Sequence, residues 1–321
     1  MSTIIARFAA DHDGHRITVS ADDGVPIAVR TFGADDAPLS VVFVHGHCLR
    51  TESWSFLRDQ LSRQWGPGTR MVFYDHRGHG ESGVADPSSY TIDQLAHDLD
   101  AVLRAVVPTG PVILVGHSMG AMVTLAYSRL FPAAIGTRVL GVGLIAGAAN
   151  GLTEVGLGRF LHRRAVSSLQ VAVLRAPRAM QASKRLTRLI FEPILREATF
   201  GTRKVNPRMV AVATAMLNET PLLTMSSFLA SLITFDETAT LHRLGTIPAL
   251  VLAGSADIVV PFAHSVVLAS QLAGSELVRL EGAGHSVILE RAEEVALSIA
   301  GLVDRVFADL RGQGPEYAAV S

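Results

Sequence analysis

The chain has 321 residues, 49% of them apolar, enough for one large domain or two ordinary ones around a sizeable core. A formal net charge of −1 supplies no global attraction to nucleic acid or to an anionic membrane. The single cysteine, Cys48, excludes an intrachain disulfide and makes a reducing cytosol the default compartment.

Residues 1–16 read as loosely ordered, and the start lacks the basic end and long apolar run of a signal peptide, which fits a cytoplasmic location. Residues 17–20 and 25–32, split by Asp22-Asp23-Gly24, read as a hairpin. An apolar strand over 39–44 leads into His45-Gly46-His47-Cys48, and a strand over 70–75 leads into a glycine-rich turn over 76–82. Thr91-Ile-Asp-Gln94 has the form of a capping box, with Leu95, Leu99, Val102, Leu103 and Val106 at helical spacing behind it. Asp98 in that helix reads as structural. Residues 112–115 form a buried strand that runs into Gly116-His117-Ser118-Met119-Gly120, and a helix over 121–129 stops before Pro132. The uncharged run 105–128 is long enough for a membrane span, but Pro108, Pro111, three glycines and His117 favour a core strand and its helix. Another buried strand covers 139–145. From about 150 to 240 the alternation stops, and helices broken at Pro177, Pro193, Pro207 and Pro221 are expected. Strands resume over 247–253 and 276–280, and a helix around 293–310 precedes a frayed tail.

A strand, a tight turn with serine at its apex and a helix form the context in which Gly-x-Ser-x-Gly carries a nucleophile. From Val19 to Phe307 the sequence resembles the α/β-hydrolase superfamily. The likeness rests on His45-Gly46 after a strand, Tyr74-Asp75-His-Arg77-Gly78-His-Gly80-Glu-Ser82, the Ser118 turn, Gly254-Ser-Ala-Asp257 and Gly282-Ala-Gly284-His285, in the family's order. It implies an α/β fold with a mostly parallel doubly wound sheet and an inserted helical cap. The core would take 1–149 and 241–311, the cap 150–240, and a flexible tail 312–321. One departure is Ala121, where many relatives carry a second glycine; alanine is small and a better helix former.

The resemblance also assigns roles. A serine hydroxyl needs a base to take its proton, and the base needs a partner to fix its tautomer. Ser118, Asp257 and His285 follow the chain order of this fold's nucleophile, acid and base. The backbone N–H groups of His47 and Met119 would form the oxyanion hole. His45 reads as a loop brace, Cys48 as a buried filler close enough to the site to be modified, and Glu290 as support for the last helix. His45, His47, His76 and His79 invite a metal reading, but no carboxylate or cysteine lies at ligand spacing, so neither metal nor cofactor is expected.

These features point to a serine esterase or lipase-like hydrolase acting on a small-molecule acyl ester, or a thioester, through an acyl-enzyme. Serine at the elbow excludes the carboxylate chemistry of haloalkane dehalogenases and epoxide hydrolases. A carbon–carbon bond hydrolase, a cofactor-free perhydrolase and a ligand sensor with little turnover carry the same residues and stay open. No nucleic-acid partner is expected. The cap segment between Gly151 and Lys204 holds eleven basic residues against Glu154, Glu192 and Glu197, a balance of +8 that leaves −9 for the remainder. Two readings follow from it. One is an ordinary solvated basic face. The other is an apolar acyl tunnel under a rim, including Arg163, Arg164, Arg185 and Arg188, that makes peripheral contact with anionic lipid. Leu186, Leu189 and Ile190 alternate with Lys184, Arg185 and Arg188 as an amphipathic helix would.

Overall fold

The structure is a computed structural model, and it describes residues 14–65, 68–184, 199–201 and 205–312. Eight strands form one sheet: β1 His15–Ser20, β2 Pro26–Phe32, β3 Ser40–Val44, β4 Arg70–Tyr74, β5 Val112–His117, β6 Val139–Ile145, β7 Ala249–Gly254 and β8 Glu276–Leu280. Their order across the sheet is β1-β2-β4-β3-β5-β6-β7-β8. β1 and β2 form the expected hairpin, antiparallel to each other, and β2 is antiparallel to β4. All other neighbours are parallel. The sheet is therefore mostly parallel, as the sequence implies.

The central strands explain their own burial. β3, β4, β5 and β7 are buried at every position, the pattern of strands covered on both faces. Successive side chains alternate between two cores: Val42, Val44, Leu114 and Val251 face one, and Val41, Phe43, Val115 and Leu252 face the other. The first core lies under α2 (Ile92–Val106) and α3 (Met119–Leu130), which pack on each other. The second lies under α1 (Ser55–Trp65) and the long C-terminal helix Ala292–Gly312. β1 and β8 are edge strands with exposed positions.

Between β6 and β7 the described residues contain helices and no strand. These are α4 (Arg163–Arg175), a helical stretch over 177–184, α5 (Pro207–Glu219), α6 (Leu222–Leu232) and the short α7 (Leu241–Leu244). α4 packs on α6. α6 in turn lies against the turns after β3 and β4: the Phe228 ring is 5.6 Å from that of His79 and 6.3 Å from that of His47. After β7 come α8 (Phe262–Gln271), α9 (Val287–Glu290) and α10, the C-terminal helix already given.

Several local expectations are corrected. β1 begins at His15, inside the stretch expected to be loose; residues 1–13 lie outside the described residues. Thr91 accepts from the Gln94 N–H at 3.1 Å, but the Gln94 amide donates to Asp98 Oδ1 at 3.3 Å, so only half of the capping box forms. α3 starts at Met119, two residues early, because the turn at Ser118 feeds directly into it. β7 starts at Ala249, since Pro248 has no N–H to donate. The expected amphipathic run beyond Lys184, the break at Pro193 and the tail after Gly312 lie outside the described residues.

Candidate active site

Parallel strands place their carboxyl ends on one edge, and the loops after β3, β5, β7 and β8 carry His47, Ser118, Asp257 and His285 there. Ser118 sits between β5 and α3 at φ 55° and ψ −118°, a conformation that non-glycine residues rarely adopt. Its N–H donates to Ile145 O at 2.8 Å, tying the strained turn to the neighbouring strand. Gly120 lets the turn close on β3: a Cβ there would lie 1.9 Å from Val44 O. Gly46 does the same from the other side, where a Cβ would lie 3.1 Å from Ser118 Cβ and 3.0 Å from His117 Nδ1. Ala121 fits because position 147 is glycine; a Cβ on Gly147 would come within 2.5 Å of the Ala121 methyl.

The three residues expected to act together form one hydrogen-bonded line. His285 Nε2 is 2.9 Å from Ser118 Oγ, and His285 Nδ1 is 2.8 Å from Asp257 Oδ2. Asp257 is buried, and its other oxygen accepts the N–H groups of Val259 and Val260, both at 2.9 Å. A carboxylate held this way can only accept, so His285 Nδ1 carries the proton and Nε2 is free to accept from the serine hydroxyl. That arrangement can withdraw a proton from Ser118 and return it to a leaving group.

The His47 loop lies against this line through Gly46, and Met119 follows Ser118 as the first residue of α3. Among the described residues neither backbone N–H has an acceptor. At Met119 the N–H is also one of the unpaired donors at a helix start, where partial positive charge gathers.

Two residues that matter to this geometry were not assigned to it from sequence. His117, between Gly116 and Ser118, is buried and its Nε2–H donates to the backbone oxygen of His285 at 2.9 Å. Burial, with the nearby His285 ring, pushes its pKa down to about 3, so it is a neutral brace. Glu290 does not support the last helix. Its Oε2 accepts the N–H of Gly284 at 2.9 Å and of Gly201 at 3.0 Å, and Ser286 N–H donates to Thr199 O at 2.8 Å. Glu290 thus clasps the His285 loop to the strand-free segment between β6 and β7. The signal in the sequence was a carboxylate five residues after the histidine; nothing in it revealed the partner 89 residues earlier.

His45, His47, His76 and His79 form a buried, neutral cluster. His45 donates from Nδ1 to Gly46 O and accepts at Nε2 from the His76 N–H. His76 Nε2 donates to His45 O, and His79 accepts from the Cys48 N–H. Burial holds His45 well below the usual range, His47 and His76 at about 3 and His79 at about 4. These ring nitrogens fasten loops, as expected for His45. No group of side chains that could hold a metal occurs among the described residues. Cys48, at φ 60°, is buried and its thiol is pushed up to about 12, so exposure to modification is not what its placement provides. Asp75 binds the same loops by accepting from Thr51 N and Glu81 N, at 2.7 and 2.8 Å. Burial first, then Glu52, raises its pKa to about 6. Asp98 is structural: it forms a two-pronged pair with Arg77 at 2.6 and 2.7 Å, both side chains fully buried.

A family model for the alpha/beta hydrolase family matches residues 41–298. The chain belongs to the alpha/beta hydrolase family. This hydrolase is 24% identical over 290 residues to proline iminopeptidase PfmaB of Pestalotiopsis fici, covering 88% of this chain and 98% of that protein. It is 34% identical over 120 residues to the bifunctional esterase/perhydrolase DCH of Acinetobacter calcoaceticus, covering 36% of this chain and 39% of that protein. Among solved structures, a thermophilic esterase from Thermogutta terrifontis superposes with a TM-score of 0.72 at 22% identity, covering 91% of this chain and 99% of that one. Among the described residues of the hydrolase, no helix is long and apolar enough to cross a membrane.

Proposed function

We propose that this hydrolase cleaves carboxylic esters of small molecules, with Ser118 as nucleophile, His285 as general base and acid, and Asp257 as the group orienting His285. The observation that carries this reading is the unbroken line from Ser118 Oγ through His285 to Asp257, built on a serine in strained backbone geometry. The serine attacks the acyl carbon and His285 takes its proton. The N–H groups of His47 and Met119 meet the charge that develops on the former carbonyl oxygen, worth about 3–4 kcal/mol for each such donor. His285 then protonates the departing alcohol, and water, activated by the same histidine, releases the acyl group. No cofactor takes part in these steps.

Thioesters fit the same chemistry, because the charge forms on the same carbonyl oxygen. The esterase/perhydrolase relative supports keeping peracid formation in view, and the iminopeptidase relative does so for amides. The test is steady-state turnover on p-nitrophenyl esters of increasing acyl length. An N-terminal prolyl p-nitroanilide, ester plus hydrogen peroxide, and a ring-fission diketone substrate run alongside. Ester turnover above the other substrates supports the reading. Preference for the anilide, the peroxide reaction or carbon–carbon cleavage replaces it with that activity. Acylation that stops after one equivalent reassigns the site to a ligand sensor.

A further inference from the structure

The basic character of the segment between β6 and β7 is not spread evenly. From Val155 to Lys184 the sequence has five arginines and one lysine and no acidic residue. α4 concentrates it on one side. At 3.6 residues per turn, Arg163, Arg164, Ser167, Val171, Leu174 and Arg175 share a face, and all are exposed. The opposite face carries Val166 and Val173, both buried against the rest of the protein, and α4 packs on α6. The outward face therefore has two aliphatic side chains, Val171 at 43% and Leu174 at 49% exposure, set among arginines. Just before α4, Phe160 is 63% exposed, with the Arg159 guanidinium 4.9 Å from its ring centroid. Arg178 is exposed just beyond the end of α4.

We propose that this face of α4, with Phe160, docks the protein onto anionic lipid surfaces. Its apolar side chains are short and stand on a convex helix, which suits insertion at the boundary between headgroups and acyl chains. The arginines around them sit at headgroup level and bind phosphate oxygens. Charge complementarity selects the occupant, because no carboxylate on this stretch repels an anionic surface. The total of −1 does not oppose this: at physiological ionic strength charges more than about 8 Å away are screened, so the local face decides. The docking face is one helix removed from the candidate active site, since α6 carries Phe228 against His47 and His79. The inference does not depend on the ester reading.

The experiment is sedimentation of the full chain with vesicles of phosphatidylcholine alone and with added phosphatidylglycerol, at low and physiological salt. Wild type is expected to bind the phosphatidylglycerol vesicles about tenfold or more tighter than phosphatidylcholine, less so as salt rises. Reversal of Arg163, Arg164, Arg175 and Arg178 to Glu should remove that binding. Val171→Ser with Leu174→Ser should weaken it while keeping its salt dependence. Melting temperatures should stay at the wild-type value, because every altered side chain is exposed. Ser118→Ala should bind vesicles as wild type does, which separates this result from any failure of the ester reading. Equal binding to both vesicle types, or binding indifferent to the reversals, overturns the proposal. Retention on an acidic polypeptide without vesicle binding also overturns it and assigns the face to a protein partner.

Discussion

Glu290 offers a sharp test of how the His285 loop is held. Its carboxylate is 1% exposed, and one oxygen accepts two backbone N–H groups, Gly284 next to His285 and Gly201 across the loop. Glu290→Ala leaves the buried Gly284 N–H without a partner, at about 1–3 kcal/mol, and the half-buried Gly201 N–H without one at less cost. The loop can relieve that cost by moving, and a shift of about 1 Å at the reacting groups lowers turnover roughly 100-fold. Glu290→Gln keeps one carbonyl oxygen where Oε2 now sits, so both bonds can persist at about half the strength of their charged versions. The expected order is wild type, then Gln within about tenfold, then Ala about 100-fold down in kcat, with KM little changed. The assay pairs ester turnover with the rate of single phosphonylation by a fluorophosphonate, which reads the Ser118–His285 couple without acyl release. If Ala lowers the melting temperature but leaves both rates within about twofold, Glu290 is only structural. Equal losses in Gln and Ala would show that charge, not the clasp, is what counts.

Gly46→Ala places a methyl against Ser118 Cβ and His117 Nδ1, and should cut kcat while the fold survives; unchanged kcat would mean that the His45–His47 loop can withdraw freely. Asp98→Ala leaves the buried Arg77 guanidinium with Asp23 and Ser89 alone, and should destabilise the fold in urea unfolding by less than the about 3–5 kcal/mol of a wholly unpaired buried charge, with little effect on kcat per folded molecule. Stability should fall on acidification. His47, His76, His79 and His117 stay neutral when folded down to about pH 4 or lower and burial holds His45 well below its usual range, whereas the unfolded chain protonates all five below about pH 6.5. The unfolded state then binds more protons, so each histidine removes up to about 1.4 kcal/mol per pH unit below that point. Asp75, raised to about 6, opposes this with a single proton. A urea midpoint that holds steady or rises between neutral and mildly acid pH would contradict the assignment of five neutral histidines.

The parts of this molecule that announce themselves in sequence are those set by local pattern. Strands buried on both faces appear as short apolar runs, and the Asp22-Asp23-Gly24 turn marks the hairpin because Gly24 takes φ 84°. Ser118 and Asp257 are legible because each follows such a strand, and His285 because Gly282-Ala-Gly284-His285 follows the edge strand β8. Their meeting depends on parallel pairing, which the runs imply. What stayed hidden depends on contacts between distant segments. His117 reaches His285 across 168 positions, and Glu290 reaches Gly201 across 89. Cys48 and Ala146 take positive φ without a glycine to signal it. The exposed apolar pair on α4 reads like any helical Val and Leu until Val166 and Val173 are seen to take the buried side. The amphipathic pattern that the sequence shows one segment later, at 186–190, lies outside the described residues.

The central claim is that Ser118 is the nucleophile of a proton relay with His285 and Asp257. The most direct measurement is intact-mass and peptide mass spectrometry after fluorophosphonate treatment of wild type, Ser118→Ala and His285→Ala. One adduct on the peptide carrying Ser118 is expected in wild type, none in Ser118→Ala, and labelling slowed by several orders of magnitude in His285→Ala. An adduct on another residue, or equal labelling rates in wild type and His285→Ala, would contradict it.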